Sequence, residues 1–473
     1  MQKMLIAIMA AMAIWEMSLA NEAVKSTLDD QKEIFITVYN SNLGLVKDVR
    51  EVTLPPGISE LQFMGVAERI NPTTVHIKSL LKPESLFVLE QNYEYDLLNP
   101  AKLLDKYVGE KVKIVDKNYY TGKEEVSEAV LLSNNQGSIY KINNEIHINP
   151  AGRVILPRIP ENLIARPTLV WMLKNTLEKP QKVEASYLTD GINWKADYVL
   201  LLNQDDTKSD LTGWVTIDNQ SGAAYKGATI QLVAGDVHRI MPPPQPRARG
   251  GAMYKALDVM AEAGFEEKPF FEYHIYTLGR KSTIKEKQTK QISLLEAANV
   301  PLKKRLSFYG AEHYYRNQYG KPVSNQKVGV YIDIENKKEN NLGIPLPKGI
   351  VRVYKADHEG RLQFVGEDEI NHTPKDEKLE IKMGEAFDVV GERTQKDWKK
   401  IAENVYEVAW EISLRNHKEQ EVEVQVIEPI PGDWTLLESS HKSEKIEAHT
   451  LKYIVKIPKN KEEKITYRVR ITW

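Results

Sequence analysis

The stretch VAWEISLR, residues 408–415, alternates large apolar side chains with small or polar ones. Valine, tryptophan, isoleucine and leucine occupy one set of alternate positions, and alanine, glutamate, serine and arginine occupy the other. Because successive side chains of a strand point to opposite faces of its sheet, this period of two predicts a half-buried β-strand. This part of the chain is therefore predicted to cover one face of a core.

The same alternation recurs in three later runs, at residues 422–426, 451–457 and 465–473. Turn residues separate the runs, as in the PGD sequence at 431–433. Four strands of this kind at short spacing are typical of an antiparallel β-sandwich. We therefore predict a C-terminal β-sandwich over residues 325–473.

Most of the remaining chain carries the same signal. We predict a mainly β fold, made of multidomain antiparallel β-sandwiches with a small inserted β-barrel-like domain and few short helices. The predicted divisions are an N-terminal β domain over 30–97, a small helix-plus-barrel domain over 98–160, a central β domain over 161–320 and the C-terminal β-sandwich over 325–473.

Two segments depart from the strand pattern. Asn99 can cap a helix that begins at Pro100, and Gly109 can end it. The short strands predicted over 110–158 could then close a small barrel. Residues 398–405 fit helical spacing and a hairpin equally well, so both structures stay open for them.

An insertion is predicted over 241–270. A Pro-rich run at 242–246 and a Gly-containing run at 247–251 form a stiff and then flexible linker. Residues 252–263 follow with methionine and alanine at helical spacing. This helix could dock a partner or cover its own domain.

The first 20 residues have the layout of a secretory signal peptide. Lys3 precedes an apolar run from Met4 to Trp15, and small residues at Ser18 and Ala20 suit a cut after Ala20. A run of this length is too short to cross a hydrocarbon core of roughly 30 Å. We therefore expect an exported protein, periplasmic or otherwise extracytoplasmic, with no transmembrane segment in the mature chain.

The composition narrows the possible chemistry. The chain has 473 residues, a formal charge of −2 and no cysteine. A nearly neutral total gives no reason to expect a nucleic-acid partner, which needs a clustered positive surface. Disulfides, cysteine nucleophiles and thiolate metal sites are excluded. We also expect no cofactor, since the sequence has neither of the common phosphate-binding glycine loops.

No catalytic residue is predicted, because no nucleophile-elbow motif occurs. Asp236 and His238 would share one face of a strand and could offer two metal ligands, although a hydrogen-bonded pair is the ordinary interpretation. Asp205, Asp206 and Asp210 could hold calcium, but they lack the spacing of the calcium-loop motif and fit a solvated turn.

A run of basic residues is the last candidate site. It could contact an anionic lipid or polysaccharide, or its lysines could protect an edge strand from pairing. Its members are Arg280, Lys281, Lys285, Lys287, Lys290, Lys303, Lys304 and Arg305.

Several longer strings resemble a known family. They are QNYEYDLL (91–98), RPTLVW (166–171), DGINWKADY (190–198), LTGWVTI (211–217), YHIYTL (273–278), NHTPKD (371–376), AFDVVGER (386–393) and LRNHK (414–418). Together they resemble the bacterial domain-of-unknown-function 4139 family, whose domain also occurs in mucoidy-inhibitor-A-like proteins. The resemblance implies an exported, β-rich envelope protein, supplies no site residues, and is expected to cover nearly the whole mature chain.

The sequence favours a non-catalytic binding or scaffold protein of the bacterial envelope. Its partner would be another envelope protein or a polysaccharide. The alternative is a periplasmic hydrolase or metal-dependent enzyme with dispersed active-site residues. Asp236, His238 and Glu94 would be the first residues to test for that activity.

Overall fold

The computed structural model describes residues 23–117, 122–158, 164–235, 237, 265–271 and 273–473. These residues form strands with short connections, which confirms the mainly β prediction. The first sixteen strands are β1 (Val24–Ser26), β2 (Gln31–Tyr39), β3 (Leu43–Val52), β4 (Gly57–Met64), β5 (His76–Ser79), β6 (Leu86–Glu94), β7 (Lys111–Lys117), β8 (Glu124–Ser133), β9 (Ile139–Ile142), β10 (Glu145–Ile148), β11 (Arg153–Ile155), β12 (Thr168–Asn175), β13 (Gln181–Asp190), β14 (Ile192–Leu202), β15 (Lys208–Asn219) and β16 (Tyr225–Ala234).

The second half of the chain continues the pattern. Its strands are β17 (Phe265–Phe270), β18 (Tyr273–Leu278), β19 (Ser282–Ile284), β20 (Gln288–Pro301), β21 (Lys303–Tyr309), β22 (Val323–Glu335), β23 (Gly349–Ala356), β24 (Leu362–Ile370), β25 (Lys378–Ala402), β26 (Val405–Asn416), β27 (Val422–Pro429), β28 (Asp433–Ser439), β29 (Ser443–Glu447), β30 (Thr450–Ile457) and β31 (Lys461–Thr472).

Helical structure is short, as the sequence predicts. The one α-helix among the described residues is α1 (Pro100–Lys106). The Asn99 side chain accepts a hydrogen bond from the Lys102 backbone N–H at 3.0 Å, and Gly109 follows the helix with a φ of 90°. The predicted cap and stop are therefore confirmed. Single 3₁₀ turns occur at Leu28–Asp30, Pro72–Thr74, Pro83–Ser85, Glu312–Tyr315 and Lys338–Asn340.

The chain divides into two compact units. The first comprises the described residues within 1–193, 218–232 and 280–289. It contains a four-stranded sheet in the order β1-β4-β12-β6 and a sheet with the order β16-β2-β3-β13-β5, in which β19 also pairs with β16. The finer domain boundaries predicted above stay a prediction.

The small sheet of the first unit is open. Its order is β10-β9-β8-β7-β11, so β10 and β11 lie at its two ends. These end strands have only four and three residues. The expected closed barrel over 110–158 is therefore not found in the described residues, because the local pattern specifies the strands but not whether the end strands pair. Tyr107, Leu131 and Tyr140 belong to the core on one face of this sheet.

The second unit comprises the described residues within 194–217, 233–279 and 290–473. Its smaller sheet has the order β20-β15-β14-β23-β24. Its larger sheet has nine strands in the order β28-β31-β26-β25-β22-β21-β27-β30-β29, with β21 and β27 parallel.

The nine-stranded sheet folds over one apolar core. Most of its strands lie within the range predicted for the C-terminal sandwich, but β21 precedes that range and pairs in parallel with β27, so the sheet is not purely antiparallel. Val408 and Trp410 of β26 are buried in the same core as Val424 of β27. The rings of Tyr453 on β30 and Tyr467 on β31 lie 5.8 Å apart. We call this part of the second unit the sandwich.

Residues 398–405 belong to a hairpin, which decides the alternative that the sequence left open. They end β25 and begin β26, with Asn404 at a positive φ of 61° in the turn. Asparagine tolerates this left-handed conformation better than most residues, so it suits a tight turn between strands.

Several predicted segments lie outside the described residues. These are the export segment 1–20, the linker 242–251 and the insertion helix 252–263. Within the described part of the chain, none of the helices has the length and apolar character needed to cross a bilayer.

Candidate functional site

The predicted metal and hydrolase residues are not brought together in the described structure. Asp236 and His238 both lie outside the described residues. Glu94 is exposed on β6, where its backbone pairs with Thr168. Among the described residues, no group of three or more His, Cys, Asp or Glu side chains is placed to hold a metal ion.

Two of the three carboxylates considered for calcium, Asp206 and Asp210, bind protein groups instead. Asp206 accepts hydrogen bonds from Lys355 Nζ at 2.5 Å and from Lys304 Nζ at 2.7 Å. Burial raises the pKa of Asp206, but these two lysines outweigh burial and hold the pKa below its usual value. Asp210 accepts a hydrogen bond from the Asn299 backbone N–H at 2.8 Å. The loop is therefore fixed by internal contacts, in line with the turn interpretation.

The basic run does not form one cluster within either unit. Its members up to Lys287 belong to the first unit, and those from Lys290 onward belong to the second. Lys304 is paired with Asp206, and the mostly buried Arg305 forms an ion pair with Asp333 at 3.0 Å. Lys290 lies on β20, which is an end strand of its sheet, so it could protect that edge from pairing. The basic residues from Lys303 onward lie on β21, which is an interior strand.

An open cleft of about 470 Å³ lies in the second unit, and we call it the aromatic cleft. Three aromatic side chains, three amide side chains and one guanidinium line it. The lining residues are Arg316, Asn317, Gln318, Trp398, Asn404, Tyr406 and Trp473.

The register of β25, β26 and β31 explains the aromatic wall of the cleft. Trp398 pairs with the buried Val408, and Tyr406 pairs with the buried Ile471. Because residues two apart and residues paired across strands share a face, Trp398, Tyr406 and Trp473 continue the core face beyond the end of the core. The rings of Trp398 and Tyr406 lie 5.5 Å apart. The cleft is thus the exposed end of the sandwich core.

The opposite wall is the segment 316–318, which β25 holds in place. Gln395 Nε2 donates a hydrogen bond to the Asn317 backbone oxygen at 3.1 Å. Gln395 Oε1 accepts one from the Tyr319 backbone N–H at 2.7 Å. Both ends of one amide therefore fix this wall, and the buried Tyr315 anchors the turn that precedes it.

A buried ion pair lies beneath that turn, and we call it with its tyrosines the core network. Arg393 Nη2 donates to Glu428 Oε1, and both side chains are 0% exposed. The hydroxyls of Tyr315 and Tyr467 donate to Glu428 Oε2 at 2.7 and 2.9 Å. The hydrogen bonds to the carboxylate therefore join three separate parts of the chain to the Glu428 side chain.

The environment of the core network keeps the Arg393 side chain charged and its two tyrosines protonated. Burial lowers the pKa of Arg393, but the Glu428 carboxylate and the neighbouring tyrosines together outweigh burial and raise it. Burial first, and then Glu428, raise the pKa values of Tyr315 and Tyr467 well above their usual range, so both tyrosines stay protonated donors. The Arg393 guanidinium also lies 4.8 Å from the centre of the Tyr314 ring.

The charged side chain that lines the aromatic cleft is a cation, Arg316. The Arg316 guanidinium lies 5.5 Å from the centre of the Trp473 ring and pairs with Glu312 at 3.3 Å. Lys400 Nζ lies 5.9 Å from the centre of the Tyr406 ring. The lining residues include no carboxylate, histidine, serine or threonine. The cleft can therefore stack and hydrogen-bond a ligand, but its lining lacks the acid–base pair that a hydrolase needs.

A larger groove of about 820 Å³ on the sandwich is a weaker candidate. Arg305 and Lys378 both pair with Asp333, and Arg305 also pairs with Glu380. Burial raises the pKa of Asp333, but its pairs with Arg305 and Lys378 outweigh burial and lower it. Because these charged side chains already form ion pairs with one another, a charged ligand would gain less binding energy from them.

The sequence interpretation did not identify the aromatic cleft. A usable signal was present, because Trp398 and Tyr406 flank the turn at Glu403–Asn404. Two large aromatic residues on either side of an exposed turn can line a cleft at the surface, even though Trp398 also packs against the edge of the sandwich core. The third ring, Trp473, is distant in sequence and needs the strand register to be placed.

The fold and the cleft define a class: a mainly β protein with an open cleft lined by aromatic and amide side chains. The profile of the family described as "Domain of unknown function (DUF4139)" matches residues 183–473. The chain belongs to this family. The matched range is narrower than the nearly full-length match expected, since the strings at 91–98 and 166–171 precede it, but it includes the whole cleft. No curated protein matches the chain.

Proposed function

We propose that the protein is exported to the bacterial cell envelope, where it binds a glycan in the aromatic cleft without catalysing a reaction on it. The observation that supports this is the set of three rings, two half-buried and one exposed, beside three amide side chains. A sugar presents a C–H face that packs on an aromatic ring and a rim of hydroxyls. Asn and Gln side chains both donate to and accept from such hydroxyls.

The openness of the cleft fits a chain better than a small enclosed ligand. Small-molecule sites usually bury most of the ligand's surface, whereas this cleft opens at the end of the sandwich. A polysaccharide can cross such an opening and extend on both sides. Glycan binding is also one of the two partner classes that the sequence suggests.

The proposed location rests on the sequence of the first 20 residues. A basic start, a short apolar run and small residues before the cut are the layout of a secretory signal. N-terminal sequencing of the protein recovered from its bacterium should give a mature chain that begins at Asn21. Recovery of the uncut chain from the cytoplasm would contradict export.

Glycan binding is tested with the mature chain and a panel of soluble envelope polysaccharides, using calorimetry or affinity electrophoresis. Trp398→Ala should weaken binding at least tenfold, because a central aromatic contact is worth about 2 kcal/mol or more. Phe387→Ala is the matched control, since Phe387 is 89% exposed on the same strand and does not line the cleft.

Hydrogen exchange on both variants shows whether the sandwich is still folded. Binding lost in Trp398→Ala and kept in Phe387→Ala would support the proposal. A panel that yields no bound glycan, or equal binding by the two variants, would overturn it.

A further inference from the structure

We infer that the aromatic cleft prefers sugars that carry a carboxylate, and that Arg316 is the residue that binds this group. The inference rests on the proposed function and adds the ligand's chemical class. Arg316 is the one charged residue among those that line the cleft. A guanidinium presents a planar set of N–H donors that matches a carboxylate in a bidentate pair.

The position of Arg316 is partly fixed before a ligand arrives. Its guanidinium lies over the Trp473 ring at 5.5 Å, a contact that orients its plane. In the sequence, Arg316 directly follows Tyr315, whose hydroxyl the core network holds in place. A donor that is already oriented loses less freedom on binding, so more of its interaction appears as affinity.

The present partner of Arg316 can be displaced. Glu312 Oε2 lies 3.3 Å from Nη2, and the two side chains are 58% and 56% exposed. Exposed ion pairs of this type contribute little, because water and salt screen them. A sugar carboxylate held by ring stacking can therefore replace Glu312 at the guanidinium.

The charges around the rings disfavour the opposite class of ligand. Aromatic clusters also bind quaternary ammonium groups, but those sites need open ring faces without nearby cations. Here Arg316 lies over Trp473, and Lys400 lies over Tyr406. A cationic ligand would meet both positive groups and would find no carboxylate in the lining.

The test compares two probes that differ only in their carboxylates: trigalacturonate, which carries three, and its trimethyl ester, which carries none. They share the same rings and hydroxyls, so the difference in their affinities isolates the carboxylate. Calorimetry on the mature chain should show about tenfold tighter binding of the acid, and the gap should shrink as salt is raised. Arg316→Gln should remove the preference and keep ester binding, while Arg316→Lys should keep only part of it.

Glu312→Gln gives a gain of function that a general loss of folding cannot imitate. Without the competing carboxylate, the acid should bind about two- to fivefold more tightly, and the ester should be unaffected. Equal binding of acid and ester by the unmodified chain would overturn the inference and leave the proposed function standing. Failure of both probes and of every panel glycan would overturn the proposed function with it.

Discussion

Replacing Glu428 with glutamine should destabilise the sandwich far more than a typical conservative change. Glutamine keeps the shape of the side chain but removes the charge that compensates the fully buried Arg393. The Nε and Nη1 atoms of Arg393 are buried and have no hydrogen-bond partner in the structure. The Glu428 carboxylate is therefore the main group that compensates the guanidinium charge.

The free energy of unfolding of the sandwich should fall by about 3–5 kcal/mol, which is the usual cost of leaving one partner of a buried ion pair unpaired. A second variant separates this cost from simple loss of packing. Arg393→Met combined with Glu428→Gln removes the stranded charge, while the glutamine can still accept from the tyrosine hydroxyls. This double variant should recover most of the loss.

The loss is best measured by native-state hydrogen exchange of backbone amides in β27 and β31. These strands belong to the sandwich, so their protection reports its opening and not that of the first unit. A loss of 3–5 kcal/mol lowers protection by roughly two to three and a half orders of magnitude. A drop below about tenfold for Glu428→Gln, or a double variant no better protected than the single one, would refute the reasoning.

Two further predictions concern the cleft wall and the Asp206 loop. Gln395→Leu removes the hydrogen bonds to Asn317 and Tyr319, so glycan affinity should fall about tenfold by calorimetry. An unchanged affinity would show that the wall does not need this clamp. Because the folded pKa of Asp206 is lowered, its carboxylate contributes stability above the unfolded value, 3.8, that is lost as pH falls through the lower folded value. The free energy of unfolding, measured from neutral pH to about pH 3, should therefore fall in the unmodified chain and should fall less in Asp206→Asn.

Local patterns were enough to predict the strands and the sandwich. The alternation at 408–415 defines a strand with one buried face, and the structure buries that face. The helix at α1 was equally local, since a cap at Asn99 and a stop at Gly109 act on adjacent residues. Whether the small sheet closed could not be predicted, because closure depends on pairing between strands that are distant in sequence.

The cleft and the core network depend on register, which sequence alone does not supply. Register shifts in β25, between Gln395 and Asp397 and between Lys400 and Ala402, change which face Trp398 occupies. Glu428 did carry a local signal, because it continues the apolar positions of 422–426. A glutamate at this alternate position could mark the exposed end of the strand, or it could belong to a buried ion pair. Only the position of Arg393 on β25 shows that Glu428 belongs to a buried ion pair.

The parallel pairing of β21 with β27 has a consequence for how the chain folds. Leu306 pairs with Val424, so this contact closes a long loop and must wait until β27 has been made. Until then β21 can pair with β22, but its other edge stays open and another chain could join it. β21 begins with Lys303, Lys304 and Arg305, charges of the kind that keep a temporary edge from aggregating. We therefore expect the basic start of β21 to reduce pairing with other chains for as long as the edge that β27 later covers stays open.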